Sequence, residues 1–453
     1  MVKNTLRRKL LRDMWQNRMQ FLAVILLCAL GTWVYSGLDA AWRMMDLSAD
    51  TYFARQNLAD IWVTLPELDS AARRKLESIP GVDGLQRRCM LDVGADLPAD
   101  PTVSLVVYDG AARINRPLVR QGAALDGGDL RGCLLEEQFA QAQGLAVGDT
   151  ITLDVYGAEH AFTVRGLVLS PEFVITAQDV VATPETYGFG IVNSGALPAL
   201  PLNQAVLTLA PGADAAAVKR AVEDAFPAAM VIGRDAQRST LRTSSDIDMF
   251  HNLTYVFPLL AFAVAAMIVL TTITRMVENQ RIQMGTLKAL GYRDAQITRH
   301  YMSYALYPSL VGALLGLYTG RVTLPYILWD MEADHYILPF QLQAPISPEA
   351  WLVCAAAVAL SCGICLATYR KSARETTAAL LRPKPPKSGS RILPERIPAL
   401  WGRISFNGKM VIRNLFRNKA RTVMSLVGIL CCTMLIITSL GLQDSVKFFV
   451  GHY

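Results

Sequence analysis

Histidine, cysteine and carboxylate side chains carry most enzymatic chemistry, and in this sequence their spacing fits none of the usual sets. His160 falls in a strand-like run and His251 beside a long apolar stretch. Neither has a nucleophile elbow, a His-Glu-x-x-His helix or a zinc-type cysteine pattern near it. Cys362-Gly-Ile-Cys365 has redox spacing, yet it lies inside an apolar stretch where small residues serve packing. Cys28, Cys354, Cys431 and Cys432 are likewise embedded in apolar stretches. Cys89 and Cys133 lie outside them and could form a disulfide if the fold brings them together. No GxxxxGK[ST] loop occurs, so ATP is not bound by that route, and no cofactor or metal site is expected.

The most informative stretch is VENQRIQMGTLKALG, Val277–Gly291, followed by YRDAQITRHYMSYAL, Tyr292–Leu306. The spacing predicts a helix with Met284, Leu287 and Leu290 on one side and Arg281 and Lys288 on another. Gly291 suits a left-handed helix end, with a second helix starting at once. A short amphipathic helix of this kind is a docking element for a partner, or else a helix lying on a lipid surface.

What must position that element is a set of apolar stretches. The chain has 453 residues, 52% hydrophobic and only 18% charged. Mean hydropathy is +0.28. Disorder and small disulfide scaffolds are excluded by this composition. Five charge-free stretches, 19–38, 253–274, 301–320, 350–369 and 422–442, are each long enough to span roughly 30 Å as a helix. Charge alternates between them. Residues 1–18 carry a net +5, residues 275–300 a net +3 and residues 370–421 a net +12. Residues 39–252 carry a net −11 and residues 321–349 a net −3. Positive charge on alternate sides implies five transmembrane helices with a cytoplasmic amino terminus. Residues 443–453 would then begin a second external region. The first span reads as a retained anchor, since no A-x-A site follows it. The basic runs all abut spans, which points to the lipid bilayer and away from nucleic acid.

No span contains an Asp, Glu, His, Lys or Arg, so an ion-coupled carrier has no intramembrane site. Pro258 and Pro308 interrupt spans 2 and 3. Gly312, Gly316 and Gly320 recur every four residues along span 3, a close-packing signal for another helix.

Residues 39–252 are long enough for their own core and read as α+β. Strands are predicted at Asp60–Pro66, Gly84–Gly94 and Thr102–Asp109 and helices at Leu68–Ile79 and Glu136–Leu145. A hairpin is predicted from Thr150–Gly157 and His160–Ser170. A second β-α-β-like unit, with its helix at Ala213–Phe226, echoes the first. Arg234–Phe250 reads as a helical stalk running into span 2.

Glu278, Arg281 and the run Gly285-Thr286-Leu287-Lys288-Ala289-Leu290-Gly291 resemble the signature of FtsX-like permeases, the membrane subunits of ABC transporters of the MacB and lipoprotein-releasing type. Leu145–Leu153 with His160–Ser170 is similar to that family's periplasmic core domain. Arg293-Asp294 departs from it, where relatives often open the next helix with a small hydroxyl residue. The resemblance implies a plasma-membrane permease that is not itself an enzyme. A separate ABC-type ATPase subunit would use the ATP and move the external domain by mechanotransmission. Gln283, Met284, Gly285, Thr286, Leu287, Lys288, Ala289, Leu290 and Gly291 would form the coupling helix. The family also contains membrane regulators of extracellular cell-wall hydrolases, which is the alternative reading.

One repeat strengthens the likeness. Leu11–Arg18 and Ile412–Lys419 match at an offset of 401 in the order aliphatic, Arg, Asx, apolar, aromatic, polar, Asn, basic. Each precedes a span, and Pro383–Gly389 is a stiff linker between them. The expectation is a two-unit permease truncated in its second unit, with a second permease unit as partner in the full-length chain or in another copy.

Overall fold

The computed structural model describes residues 2–175, 183–332, 337–373, 376–381 and 405–417, with scattered positions between 422 and 445. The chain divides into two compact units. The helical unit takes residues 1–40, 251–325 and 345–453, and the α+β unit takes residues 41–250 and 326–344.

The helical elements are α1 (Val2–Gln16), α2 (Arg18–Arg55), α6 (Arg238–Asn279), α7 (Arg281–Ala289), α8 (Asp294–Glu332), α9 (Pro348–Ala373), α10 (Thr377–Leu381) and α11 (Phe406–Arg417). Among the described residues, four helices are long and apolar enough to cross a membrane: α2, α6, α8 and α9. The fifth predicted span, 422–442, lies outside the continuously described residues. Three helices outrun the apolar stretches that announced them. α2 continues past Leu38 to Arg55, α8 past Gly320 to Glu332, and α6 begins at Arg238, ahead of span 2. Hydropathy marks only a bilayer's thickness, whereas helical hydrogen bonding continues wherever the next residues still propagate it.

The core of the helical unit is small and specific. Leu10 of α1, Phe21 of α2, Val277 of α6, Met284 of α7, Tyr301 of α8 and Tyr369 of α9 belong to one buried cluster. Phe21 stacks on Tyr304 with ring centroids 5.7 Å apart. Span 3 lies directly on span 1: a Cβ on Gly312, Gly316 or Gly320 would collide with the carbonyl oxygens of Ile25, Ala29 and Trp33. Ser36 Oγ donates to the Leu317 carbonyl at 2.7 Å across the same contact.

Among its described residues the α+β unit holds ten strands: β1 (Ile61–Thr64), β2 (Val82–Ala95), β3 (Thr102–Tyr108), β4 (Leu118–Gly122), β5 (Gly132–Glu136), β6 (Thr150–Val155), β7 (Ala158–Leu169), β8 (Tyr187–Asn193), β9 (Gln204–Leu209) and β10 (Met230–Gly233). Its helices are α3 (Ser70–Glu77), α4 (Glu137–Ala142) and α5 (Ala215–Ala225). β1, β2, β9 and β10 form an antiparallel sheet in the order β10-β1-β9-β2. The two β-α-β units read from sequence thus interleave, in the split β-α-β manner. α3 and α5 cover this sheet through Leu76, Val218 and Val222. Asp69 and Asp214 cap them, accepting from Ala72 N at 2.7 Å and Ala216 N at 2.9 Å.

The remaining strands are inserted between β2 and β9. Pairings β2-β3, β3-β8, β8-β5, β5-β7, β7-β6 and β6-β2 return to their start, so six strands close a ring. Closure removes free edges and encloses a core containing Leu105, Phe139, Ile151, Phe162 and Val164. The predicted hairpin is β6-β7, turned at Tyr156-Gly157, where both residues have positive φ. Cys89 and Cys133 both lie in this core as free thiols, so the disulfide open from sequence is not formed. Burial pushes the Cys133 thiol up to about 12.

Candidate functional site

α7 is nine residues long, and both of its ends are built by its sequence. At the carboxyl end Gly291 adopts φ +82. The Tyr292 N–H donates to the Leu287 carbonyl at 3.2 Å and the Gly291 N–H to the Lys288 carbonyl at 3.1 Å. This is a Schellman stop, which a residue with a Cβ would strain. α8 then begins at Asp294. Gln296 reaches back to the Arg293 N–H at 3.2 Å, half of a capping box. Asp294 places a negative charge in the first turn and meets Lys288 Nζ at 3.1 Å.

The faces of α7 differ from the sequence expectation. Met284, Leu287 and Leu290 were expected to form one apolar contact surface. Met284 is 1% exposed and sits in the unit's own core, with Leu287 half-buried against that core. Gly285 is also buried, and a Cβ there would press on Leu380 and Leu381 of α10 at 3.1 Å. The apolar side is used up internally because α7 must be held by α8 and α10. Arg281 likewise turns inward and donates to the Ala379 carbonyl at 2.9 Å. What remains outward is Ile282, Gln283, Thr286, Ala289, Leu290 and Gly291. Ile282 is 55% and Leu290 70% exposed, on opposite ends of this face.

Beside α7, α1 is held by a polar cluster that sequence reading missed. Asp13 is buried, accepts from Lys9 and accepts from the Tyr304 hydroxyl at 2.6 Å. His300 Nε2 lies 3.1 Å from the same hydroxyl. Burial opposes the charge of Asp13, but Lys9, Tyr304 and Arg12 outweigh it and hold the carboxyl below its usual range. The signal was present in the sequence, as Asp13 is the lone acid among six basic residues in 1–18.

The other candidates do no chemistry together. His160 stacks on Phe162 and His251 lies against Tyr255. Cys365 Sγ donates to the Tyr301 carbonyl at 3.3 Å and Cys28 Sγ lies 3.5 Å from Ser361 Oγ, both packing roles. Among the described residues no group of His, Cys, Asp and Glu could hold a metal ion.

Two family models match the chain: the FtsX-like permease C-terminal model over residues 255–378, and the MacB-like periplasmic core domain over residues 21–225. The chain carries an FtsX-like permease C-terminal region and a MacB-like periplasmic core domain. The first match contains α7 and the glycine stripe, and the second contains β1 to β9. An uncharacterized ABC transporter permease protein of Mycobacterium tuberculosis is 30% identical over 190 residues, 42% of this chain. The chain spans 21% of that relative's length. Among solved structures, the extracellular domain of the noncanonic ABC-type transporter YknZ from Gram-positive bacteria aligns at 12% identity and TM-score 0.28, over 39% of this chain and 100% of that one. The periplasmic region of MacB from Actinobacillus actinomycetemcomitans aligns at 9% identity and TM-score 0.27, over 42% of this chain and 95% of that one.

Proposed function

We propose that this chain is the transmembrane subunit of an ABC transporter and that α7 docks on a separate ATPase subunit. The carrying observation is the division of α7 into a braced inner face and an open outer one. Met284, Gly285 and Arg281 tie it to neighbouring helices, so a push on the helix reaches α6 and α8 without being absorbed locally. Ile282, Thr286 and Leu290 are left for the partner. ATP-driven movement would pass along α6 and α8 to the α+β unit, by mechanotransmission. The basic residues of 1–18, 275–300 and 370–421 support a cytoplasmic amino terminus in the plasma membrane. The repeat of Leu11–Arg18 at Ile412–Lys419, the latter in part on α11, supports a second permease unit.

The test is Leu290→Asp beside Leu287→Asp. Leu290→Asp puts a charge in the docking face and leaves the core alone. It should insert normally, keep its melting temperature and lose ATPase co-purification by about tenfold or more, as expected when a contact worth roughly 1.5–3 kcal/mol is replaced by a buried charge. Leu287→Asp should instead lower the melting temperature. Full ATPase binding by Leu290→Asp would overturn the docking assignment. Recovery of a cell-wall hydrolase with no ATPase would favour the regulator reading.

A further inference from the structure

α1 presents an apolar and aromatic outward face. Leu11 is 63% exposed and Trp15 76% exposed, one turn apart. Met19, Leu22, Leu26 and Leu30 on α2 are also exposed, at 74%, 47%, 59% and 54%. The six positions follow intervals of four, four, three, four and four, so one stripe runs unbroken from α1 onto a membrane-spanning helix. On α2 the stripe belongs to a helix long and apolar enough to cross a membrane, so its continuation onto α1 points to lipid as the cover of both.

Charge selects the lipid. Arg8, Arg12 and Arg18 are exposed around Leu11 and Trp15. The only acid before Asp39 is Asp13, and it is withdrawn into the cluster with Lys9 and Tyr304. The outward face is thus cationic around an aromatic centre. Tryptophan settles at headgroup level and basic residues attract anionic phospholipid. On the inner side Leu10 joins the buried core and Met14 packs against it, which fixes the orientation of the face.

We propose that α1 is an interfacial anchor that binds anionic phospholipid headgroups through Arg8 and Arg12, with Leu11 and Trp15 inserted beside them. Met284 of α7 lies in the core that holds Leu10, so the anchored helix also braces the docking element. That consequence rests on the coupling reading, whereas the lipid contact itself does not.

The experiment needs no ATPase. The whole chain is reconstituted in nanodiscs of phosphatidylcholine and phosphatidylglycerol in equal amounts, with one or the other brominated. The Trp15 fluorescence is the difference between the wild type and Trp15→Phe. Brominated phosphatidylglycerol should quench it about twofold more than brominated phosphatidylcholine, since each basic residue near an anionic surface adds attraction. Arg8→Gln with Arg12→Gln should bring the two to parity. Equal quenching in the wild type would overturn the anionic preference. Quenching by neither lipid would mean that a protein surface covers the face, and the proposal would fail outright. The wild-type comparison decides the matter even if the double variant does not fold.

Discussion

The two units bury polar groups in opposite ways. In the α+β unit Arg88 is fully buried and its guanidinium donates to both carboxylate oxygens of Glu172. Trp62 Nε1 and Asn115 Nδ2 complete that carboxylate at 2.7 and 3.0 Å, and Gln204 takes the Arg88 Nε–H at 2.7 Å. Burial disfavours the Arg88 charge, but Glu172 holds its pKa above the ordinary value. Among the described residues the helical unit places no such pair between its spans. Helices there meet through backbone, at the glycines of α8 against the carbonyls of α2. The difference follows from solvent. A water-facing unit gains from hiding apolar surface and tolerates one ion pair if every lone pair is met. Helices in lipid gain little from apolar contact with one another and depend on close approach.

The largest effect should come from unbalancing the ion pair. Glu172→Ala would strand the Arg88 charge inside a core and leave Trp62 and Asn115 without their acceptor. We expect a loss of about 3–5 kcal/mol, the range for breaking a buried pair, read as a large fall in melting temperature of the whole chain in detergent. Arg88→Met with Glu172→Leu should fall far less, because both charges leave together. If the single and double variants lose equally, the pair is not the source of the effect.

A smaller loss is expected in the helical unit. Gly316→Leu would drive a side chain into the Ala29 carbonyl and Thr32, so α8 and α2 must separate. Overpacking of this kind costs about 1–3 kcal/mol. Gly363→Leu is the control, since a Cβ there meets nothing within 4 Å. Thermal melts of both variants in the same detergent make the comparison. Equal melting temperatures would deny the glycine stripe its role.

How far these features could be read from sequence depends on the range of the interaction. α7 and its stop at Gly291 are local, and the residues that end the helix are adjacent to it. Its outward face was not legible, because periodicity identifies an apolar side without saying what covers it. Met284 looks like a contact residue until α8 and α10 are placed. The α+β class was legible from strand and helix patterns, and the β6-β7 hairpin from its turn. The closed ring was not, because β6 meets β2 only at Gly94 and Ala95. β8 (YGFGIVN) was also missed. Gly188 lies where a Cβ would strike the Phe139 ring, and Gly190 faces Val103. Such requirements come from residues far away in the chain.

The smallest effect separates the units by pH. Asp129 anchors the approach to β5: its Oδ1 accepts from the Arg131 N–H at 3.0 Å and the Gly132 N–H at 2.9 Å, and its Oδ2 from Arg165 at 2.8 Å. The Arg131 N–H, then the Arg165 guanidinium, hold its carboxyl below the usual range. A carboxyl depressed by folding stabilises the folded state above its unfolded value of about 3.9. That contribution disappears as pH falls through the folded value. Asp129→Asn keeps one acceptor oxygen but cannot carry the charge, so the variant should melt slightly below the wild type at pH 7. The gap should narrow as pH falls below about 4, while transitions of the helical unit, followed by a probe on α8, stay together in both proteins. A gap that is constant with pH would show that Asp129 acts through shape alone.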